Sequence, residues 1–343
     1  MKRILCLALA MALTMGLGGC AAESVPLPKT TIRIGVAVYD GYDTFISELM
    51  SCFTAYAQQM ELEEGITIVI MRDSADGNQE VQNNQVESFI EAGCDVLCVN
   101  LVDRTDVAVI IDKAEAAGLP IVFFNRELVE EDLQRNDMLF YVGAEALESG
   151  RMQGQLIADL CGAQMDKVDK NADGVLQYVM LEGEADHQDA IVRTEYSVAA
   201  VAEAGYQLER LEDEIANWVR SQAETKMVRW LEIHGNSIEI VFANNDDMAL
   251  GAIDALKRAG VPFEDWPVVV GIDGTSVGLE AVALGELAGT VHNDAAGQAK
   301  GLLDLAYALS TDSPLPALQD GKYIRLPYQI VKPDNVMEFI NRS

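Results

Sequence analysis

The sequence predicts an α/β protein built from doubly wound, parallel-sheet domains. Short apolar runs of strand length recur along the chain, and segments with helical spacing of their apolar residues separate them. The runs are nearly continuous in Val, Ile and Leu, as in strands buried on both faces of a parallel sheet. Roughly 310 residues follow the N-terminal segment, enough for two domains with separate cores. These three observations together indicate alternating strands and helices in two α/β lobes.

Nine apolar runs are predicted as strands, and helical segments connect most of them. In one such segment, Asp247 to Gly260, the apolar residues follow helical spacing and Gly260 stands where a helix C-terminal glycine is expected. The predicted strands cover residues 32–39, 66–70, 96–100, 121–124, 139–143, 176–181, 238–242, 268–272 and 288–291.

The N-terminus has the features of a secretory signal peptide, residues 1–19. Lys2 and Arg3 precede an apolar run that is too short to span a bilayer. The run ends Leu-Gly-Gly-Cys20, which resembles a bacterial lipobox and implies cleavage before Cys20 and lipid attachment to its sulfur. A plain signal peptide with an incidental cysteine is the alternative. Residues 20–30 contain two prolines and no periodicity, and are predicted to be a tether.

Charge and cysteine content exclude some classes of function. The chain has 24 Lys and Arg against 55 Asp and Glu, a formal charge of −31, which argues against nucleic acid as a partner. Cys94 and Cys98 would lie about 13 Å apart in an extended strand, too far for a disulfide. Buried free thiols are expected, although a distant pairing of Cys52 or Cys161 stays open.

The run from Asp169 to Gln177 has the spacing of an EF-hand calcium loop. Oxygen-bearing side chains occupy loop positions 1, 3, 5 and 9, a glycine occupies position 6, and position 7 offers a backbone carbonyl. Met180 stands where the bidentate Glu should be, so the loop alone is one carboxylate short. The spacing predicts a structural calcium site completed from elsewhere, and an ordinary Asx-rich turn is the alternative.

Polar residues follow almost every predicted strand. Ligands of doubly wound sheets bind beyond the carboxyl ends of the strands, so these residues are the candidates for a site. Many amides and carboxylates with few cations suit a ligand rich in hydroxyls, which is the chemistry of a sugar. The residues are Tyr39 to Asp43, Asn100, Asn125, Glu182 to Asp189, Asn244 to Asp246, Asp273, Asn293 and Asp294.

At these residues the chain resembles the type I periplasmic-binding-protein superfamily and, within it, the D-galactose/D-glucose-binding proteins. The resemblance covers residues 31–340. Its motifs are Arg33-Ile-Gly-Val, Asp43-Thr-Phe45, Asn100-Leu-Val-Asp103, His187-Gln-Asp189 with Arg193, Asn244-Asn245-Asp246, Gly271-Ile-Asp273 and Gly289-Thr-Val-His-Asn293-Asp294.

The resemblance implies a sugar held between two lobes. Phe45 and Trp218 would stack on its ring. The implied polar contacts are Asp43, Asn100, His187, Asp189, Arg193, Asn245, Asp273 and Asn293. The implied calcium ligands are Asp169, Asn171, Asp173, the Val175 carbonyl and Gln177, with the missing carboxylate from Glu239.

The resemblance also implies how the chain divides between the lobes. The first lobe would comprise residues 31–119 and 295–327, and the second residues 121–292 and 330–343. Three crossings, near 119–121, 292–295 and 326–329, would form the hinge. The departures from the family pattern are Gln188, His292 and the loop 40–42, which lies beside Asp43 and would alter access or epimer preference.

The sequence therefore predicts a monomeric, lipid-anchored, extracytoplasmic protein that binds D-glucose or D-galactose and delivers it to an ABC permease. No nucleophile elbow, zinc-protease motif or P-loop is present, so a non-enzyme is expected. Two alternatives stay open. The first is a sugar sensor that presents its closed form to a membrane receptor. The second is a glycosidase using two of the carboxylates, although a closed monosaccharide site leaves no room for a leaving group. A sugar-responsive repressor is disfavoured by the signal segment.

Overall fold

The structure, a computed structural model, describes residues 30–311 and 313–341. Within them no helix has the length and apolarity needed to cross a membrane. The predicted signal peptide, most of the tether and the lipidation residue Cys20 lie outside the described residues, so those expectations stay predictions.

Strands and helices alternate along the described chain. The strands are β1 (Thr31–Val38), β2 (Thr67–Ser74), β3 (Val96–Val99), β4 (Ile121–Phe124), β5 (Leu139–Ala144), β6 (Val175–Glu182), β7 (Gln207–Ile215), β8 (Ile240–Ala243), β9 (Val268–Val270), β10 (Thr290–His292), β11 (Tyr323–Leu326) and β12 (Gln329–Val331). The helices are α1 (Thr44–Glu64), α2 (Gln79–Glu91), α3 (Ala108–Ala117), α4 (Glu130–Leu133), α5 (Ala146–Val168), α6 (Gln188–Glu203), α7 (Arg220–His234), α8 (Asp246–Ala259), α9 (Ser276–Ala283), α10 (Ala295–Thr311) and α11 (Val336–Ile340).

The strands form two parallel sheets, one in each lobe, which confirms the predicted fold class. The first sheet has the order β11-β5-β4-β3-β1-β2, and the second has the order β7-β6-β8-β9. The short antiparallel pair of β10 and β12 continues the second sheet through a bridge between Val270 and Gly289. In each lobe helices cover both faces of the sheet, and the apolar strand residues are buried between them.

The ends of the helices follow local chemistry that the sequence shows. Helix α1 begins at Asp43, whose side chain accepts a hydrogen bond from the Ile46 backbone N–H, and it ends at Gly65 in the left-handed conformation. Helix α8 begins at the Asn245 cap and ends at Gly260, with φ of 67°, as the spacing predicts.

The predicted boundary of the first lobe is wrong at one crossing. Strands β4 and β5 pair in the first sheet, so the chain leaves this lobe between β5 and α5, near residue 145, and not near residues 119–121. The apolar sequences of β4 and β5 do not indicate which of the two sheets these strands join. The other two passages lie between β10 and α10 and between β11 and β12.

Three strands of the structure are not predicted by the apolar runs. Strand β7 lies at the edge of its sheet and alternates acidic with apolar residues, so most of its side chains are partly or fully exposed. Strands β11 and β12 are four and three residues long, on either side of the hinge. The four described cysteines, Cys52, Cys94, Cys98 and Cys161, are free thiols.

The close packing of α5 on α6 gives a test of the second lobe. A Cβ added at Gly154 would overlap the Ser197 carbonyl oxygen and approach the Ala200 Cβ to 2.6 Å, so Gly154→Ala should lower the free energy of unfolding by about 1–3 kcal/mol. In the control Gly162→Ala on the same helix, the nearest atom is the Tyr206 hydroxyl at 3.8 Å. This control should gain up to about 1 kcal/mol from helix propensity. Urea denaturation of both variants measures the difference, and equal stabilities would contradict the close contact.

Candidate ligand-binding cleft

A cavity lies between the two lobes, beyond the carboxyl ends of both sheets. It encloses about 340 Å³, including its opening to solvent. Its lining residues directly follow strands β1, β4, β6, β7, β8 and β9 or begin the helices that come next. They are Tyr39, Asp43, Phe45, Asn125, Arg126, His187, Asp189, Arg193, Trp218, Asn245 and Asp273.

The structure brings together eight of the ten side chains predicted to contact a ligand. Asn100 and Asn293 are the exceptions: Asn100 is fully buried, and Asn293 lines a separate pocket beside the hinge. The Asn100 amide donates to the Phe124 carbonyl and to Asn125 Oδ1, each at 3.1 Å, and so supports the residue that does reach the cavity. Asn293 Oδ1 accepts a hydrogen bond from Gln298 at 2.6 Å. Asn100 thus contacts the lining residue Asn125, whereas Asn293 contacts a lining residue through its backbone N–H, which donates to the Asp273 carbonyl at 2.8 Å.

Three lining residues are absent from the predicted contact set: Tyr39, Asn125 and Arg126. Tyr39 and Asn125 were visible in the sequence as polar residues that directly follow strands. No signal in the sequence separates Arg126 from other surface arginines. The misassignment of β4 to the second lobe concealed that Asn125 and Arg126 face the cleft from the first lobe.

Hydrogen bonds fix the first-lobe wall of the cavity. The Tyr39 hydroxyl donates to Asp43 Oδ2 at 2.6 Å, while Asp43 Oδ1 caps helix α1. The Arg126 guanidinium lies over the Tyr39 ring, 3.4 Å from its centroid, in a cation–π contact. Arg126 also donates to Glu184 of the second lobe at 2.9 Å, so this ion pair crosses the cleft.

Arg193 organises the second-lobe floor. Its guanidinium donates to the Asn244 carbonyl at 2.9 Å and to Asp189 at 3.3 Å, and lies 3.6 Å from Asp273. Burial raises the pKa of Asp189 and of Asp273, and the nearby Arg193 charge opposes the rise. Burial lowers the pKa of Arg193, but Tyr328 and the two carboxylates outweigh it and raise that pKa above its ordinary value.

His187 is held as a neutral hydrogen-bond donor. Its Nδ1 accepts from the Asp189 backbone N–H at 3.0 Å and caps helix α6, which leaves the proton on Nε2. Burial lowers the pKa of His187 well below 6.5, and the charges of Arg126 and Arg193 lower it further. The imidazole packs edge-on against Trp218, with ring centroids 5.1 Å apart.

Backbone strain is concentrated at this cavity. Seven non-glycine residues of the described chain have positive φ, and three of them line the cleft. These three are Asn125 at 60°, Trp218 at 65° and Asp273 at 117°. Left-handed conformations of bulky residues are unfavourable and persist where the surrounding structure holds them, which is typical of binding sites.

The six predicted calcium ligands come together at the start of strand β6. Glu239, which is 1% exposed, accepts hydrogen bonds from the Lys170 and Gln177 backbone N–H groups at 2.7 and 3.1 Å. The Asp169 and Asp173 carboxylates also accept hydrogen bonds from backbone N–H groups of the same loop. Three carboxylates, two side-chain amides and a carbonyl form an all-oxygen donor set that suits Ca²⁺.

The side-chain amides of this loop bond to one another. Asn171 Nδ2 donates to Gln177 Oε1 at 2.8 Å, and Gln177 Nε2 donates to Asp173 at 3.1 Å. Residues 30–311 and 313–341 contain no cluster of three His, Cys, Asp or Glu side chains already placed to hold a metal. For these oxygens to hold a calcium ion, the Asn171 and Gln177 amides would have to rotate and give up these two hydrogen bonds.

Comparison with known proteins agrees with this architecture. The family model described as "Periplasmic binding protein domain" matches residues 34–313. The D-galactose/methyl-galactoside binding periplasmic protein MglB of Haemophilus influenzae is 35% identical over 90% of this chain and 92% of its own length. A putative rhizopine-binding protein of Rhizobium meliloti is 34% identical over 96% of this chain and 98% of its own length.

Solved structures share the same fold. An ABC transporter solute-binding protein from Bacillus halodurans with bound myo-inositol superposes with a TM-score of 0.76 at 30% identity. The match covers 93% of this chain and 100% of that chain. With its two parallel sheets and its cleft at their carboxyl ends, the chain belongs to the periplasmic binding protein family.

Proposed function

We propose that the protein captures D-glucose or D-galactose in the interlobe cleft and delivers it to an ABC importer. The observation that carries this proposal is the convergence of carboxylates, amides, a neutral imidazole and three aromatic rings on one small cavity. Two relatives of the chain are named for galactoside binding and for ABC transport, which supports both halves of the proposal.

The chemistry of the lining suits a hexose ring. Asp43, Asp189 and Asp273 accept hydrogen bonds from hydroxyl groups, and Asn125 and Asn245 both donate and accept. Hydrogen bonds to charged groups are roughly twice as strong as neutral ones. Phe45 and Trp218, which are 6% and 9% exposed, offer apolar faces for the C–H groups of the ring.

A cyclitol is the second candidate ligand. Arg126 adds to the cavity a guanidinium that donates to neighbouring hydroxyls without requiring an anomeric centre. The Bacillus halodurans relative holds myo-inositol, and the Rhizobium relative is named for rhizopine. A role as a sugar sensor uses the same closed form and the same ligand. A glycosidase is less consistent, because Arg193 and the α1 N-terminus engage the carboxylates that it would need.

Calorimetric titration tests the ligand. We expect micromolar or tighter binding of D-glucose or D-galactose at one site per chain, with no heat from D-ribose. Removal of co-purified ligand by unfolding and refolding precedes the titration. Binding of myo-inositol alone would favour the cyclitol, and no binding of any of these would contradict the proposal.

Asp43→Ala tests the first-lobe wall. The loss of a charged acceptor should weaken hexose binding about a hundredfold. Asp43→Asn keeps an oxygen for the helix cap, and so separates the lost charge from the lost cap. Asn78→Ala is the matched control, because it removes the cap of α2 without touching the cavity. Wild-type affinity in Asp43→Ala would remove Asp43 from the site.

The neutral state of His187 predicts a pH effect on stability. The folded protein keeps the imidazole unprotonated, whereas the unfolded chain binds a proton below pH 6.5, so stability falls as pH falls through that value. Between pH 7 and pH 5.5 the wild type should lose about 1 kcal/mol relative to His187→Asn, which retains a capping oxygen. Urea denaturation at both pH values measures this, and parallel losses would show that His187 titrates normally.

We also propose that Ca²⁺ binds the loop of residues 169–177 with Glu239 and stabilises the second lobe. When bound, the ion would be coordinated by carboxylate, amide and carbonyl oxygens, and it would contact no ligand in the cleft. Its absence would leave Glu239 and Asp169 buried together without a compensating cation.

Chelation tests the calcium proposal. EDTA should lower the melting temperature of the wild type by about 5 °C or more. Glu239→Ala should melt lower, show no response to EDTA and bind hexose as the wild type does. Glu209→Gln, beside the loop but outside the donor set, should keep the EDTA response. A wild-type melting temperature that EDTA leaves unchanged would reject the site.

A further inference from the structure

Helix α1 makes two hydrogen bonds across the cleft, outside the ligand cavity. The Thr44 hydroxyl donates to Asp247 Oδ2 of the second lobe at 2.5 Å. One helical turn later, Glu48 Oε1 accepts from the Ser276 backbone N–H at 2.9 Å. Neither Thr44 nor Glu48 lines the cavity. Residues four positions apart share a helix face, so one face of α1 contacts the second lobe at two points.

Both contacts are made at the N-termini of second-lobe helices. Asp247 lies in the first turn of α8, and Ser276 is the first residue of α9. The first N–H groups of a helix have no partner within it and carry partial positive charge. The Glu48 carboxylate therefore serves as an anionic partner for α9, but only while the lobes are closed.

The two hydrogen bonds Thr44–Asp247 and Glu48–Ser276, together called the latch, adjoin the residues predicted to contact the sugar. Thr44 lies between Asp43 and Phe45 in sequence, and both of those line the cavity. Asp43 also fixes the first turn of α1 through its hydrogen bond to Ile46 N–H. The first turn of α1 must therefore occupy the same position for Asp43 to contact a ligand and for Thr44 to bond to Asp247.

We propose that Thr44 and Glu48 are positioning residues that set ligand affinity by holding the lobes closed. This inference rests on the proposed binding function. The observed dissociation constant equals the intrinsic constant divided by the closed fraction of the free protein. A hydrogen bond present only in the closed form raises that fraction, so the latch tightens binding without touching the ligand.

Substitutions at Thr44 measure the latch. Thr44→Val removes the hydroxyl at nearly constant volume, and should weaken hexose binding about tenfold. Thr44→Ser restores the hydroxyl and should restore the affinity. Thr54→Val is the matched control, because the Thr54 hydroxyl donates to the Met50 carbonyl within the same helix. Combined with Asp247→Ala, which removes the acceptor of the Thr44 hydroxyl, Thr44→Val should weaken binding by less than the product of the two single effects.

Small-angle X-ray scattering separates this role from a merely structural one. The ligand-free Thr44→Val and Glu48→Ala proteins should have a larger radius of gyration than the wild type, and saturating hexose should remove the difference. A Thr44→Val protein whose affinity and radius of gyration both match those of the wild type would overturn the latch. So would an affinity equal to that of Thr54→Val. If the wild type bound no hexose, the proposed function would fail, but the ligand-free comparison would still decide the latch.

Discussion

The buried guanidinium of Arg193 is the interaction on which the second-lobe half of the site depends. It is 3% exposed and contacts residues from five parts of the chain: Ser149, Asp189, Asn244, Asp273 and Tyr328. A charge at this depth is tolerable only when it is paired and fully hydrogen-bonded. Its partners therefore cannot move independently, and the carboxylates that face the cavity are held at fixed positions before any ligand arrives.

Parallel strands impose the second constraint. Every strand of a parallel sheet ends at the same edge, so residues that follow strands distant in sequence become neighbours in space. Here the ends of β1 and β4 from one sheet face the ends of β6 to β9 from the other. The chain passes between the lobes at short segments only, which confines the contacts that bridge the cleft to the strand ends and to helix α1.

Much of this site could be predicted from local sequence. Strand ends, helix caps and the spacing of His187, Asp189 and Arg193 are short-range features, and eight of the ten expected contact residues line the cavity. The errors came from long-range placement. Asn100 and Asn125 both follow buried strands, and only the hydrogen bond from Asn100 to Asn125 shows which of them supports and which faces the cleft.

Local sequence is enough to predict the fold class, most of the strands, the acidic surface and the donor types of both candidate sites. Periodicity, spacing and composition encode these, and each depends on neighbours in the chain. Three features are visible only in the folded protein: the sheet that β4 and β5 join, the placement of Arg126 on Tyr39 and against Glu184, and the contact of α1 with the second lobe. Those facts depend on how two lobes meet, and such contacts between distant residues leave no mark on local pattern.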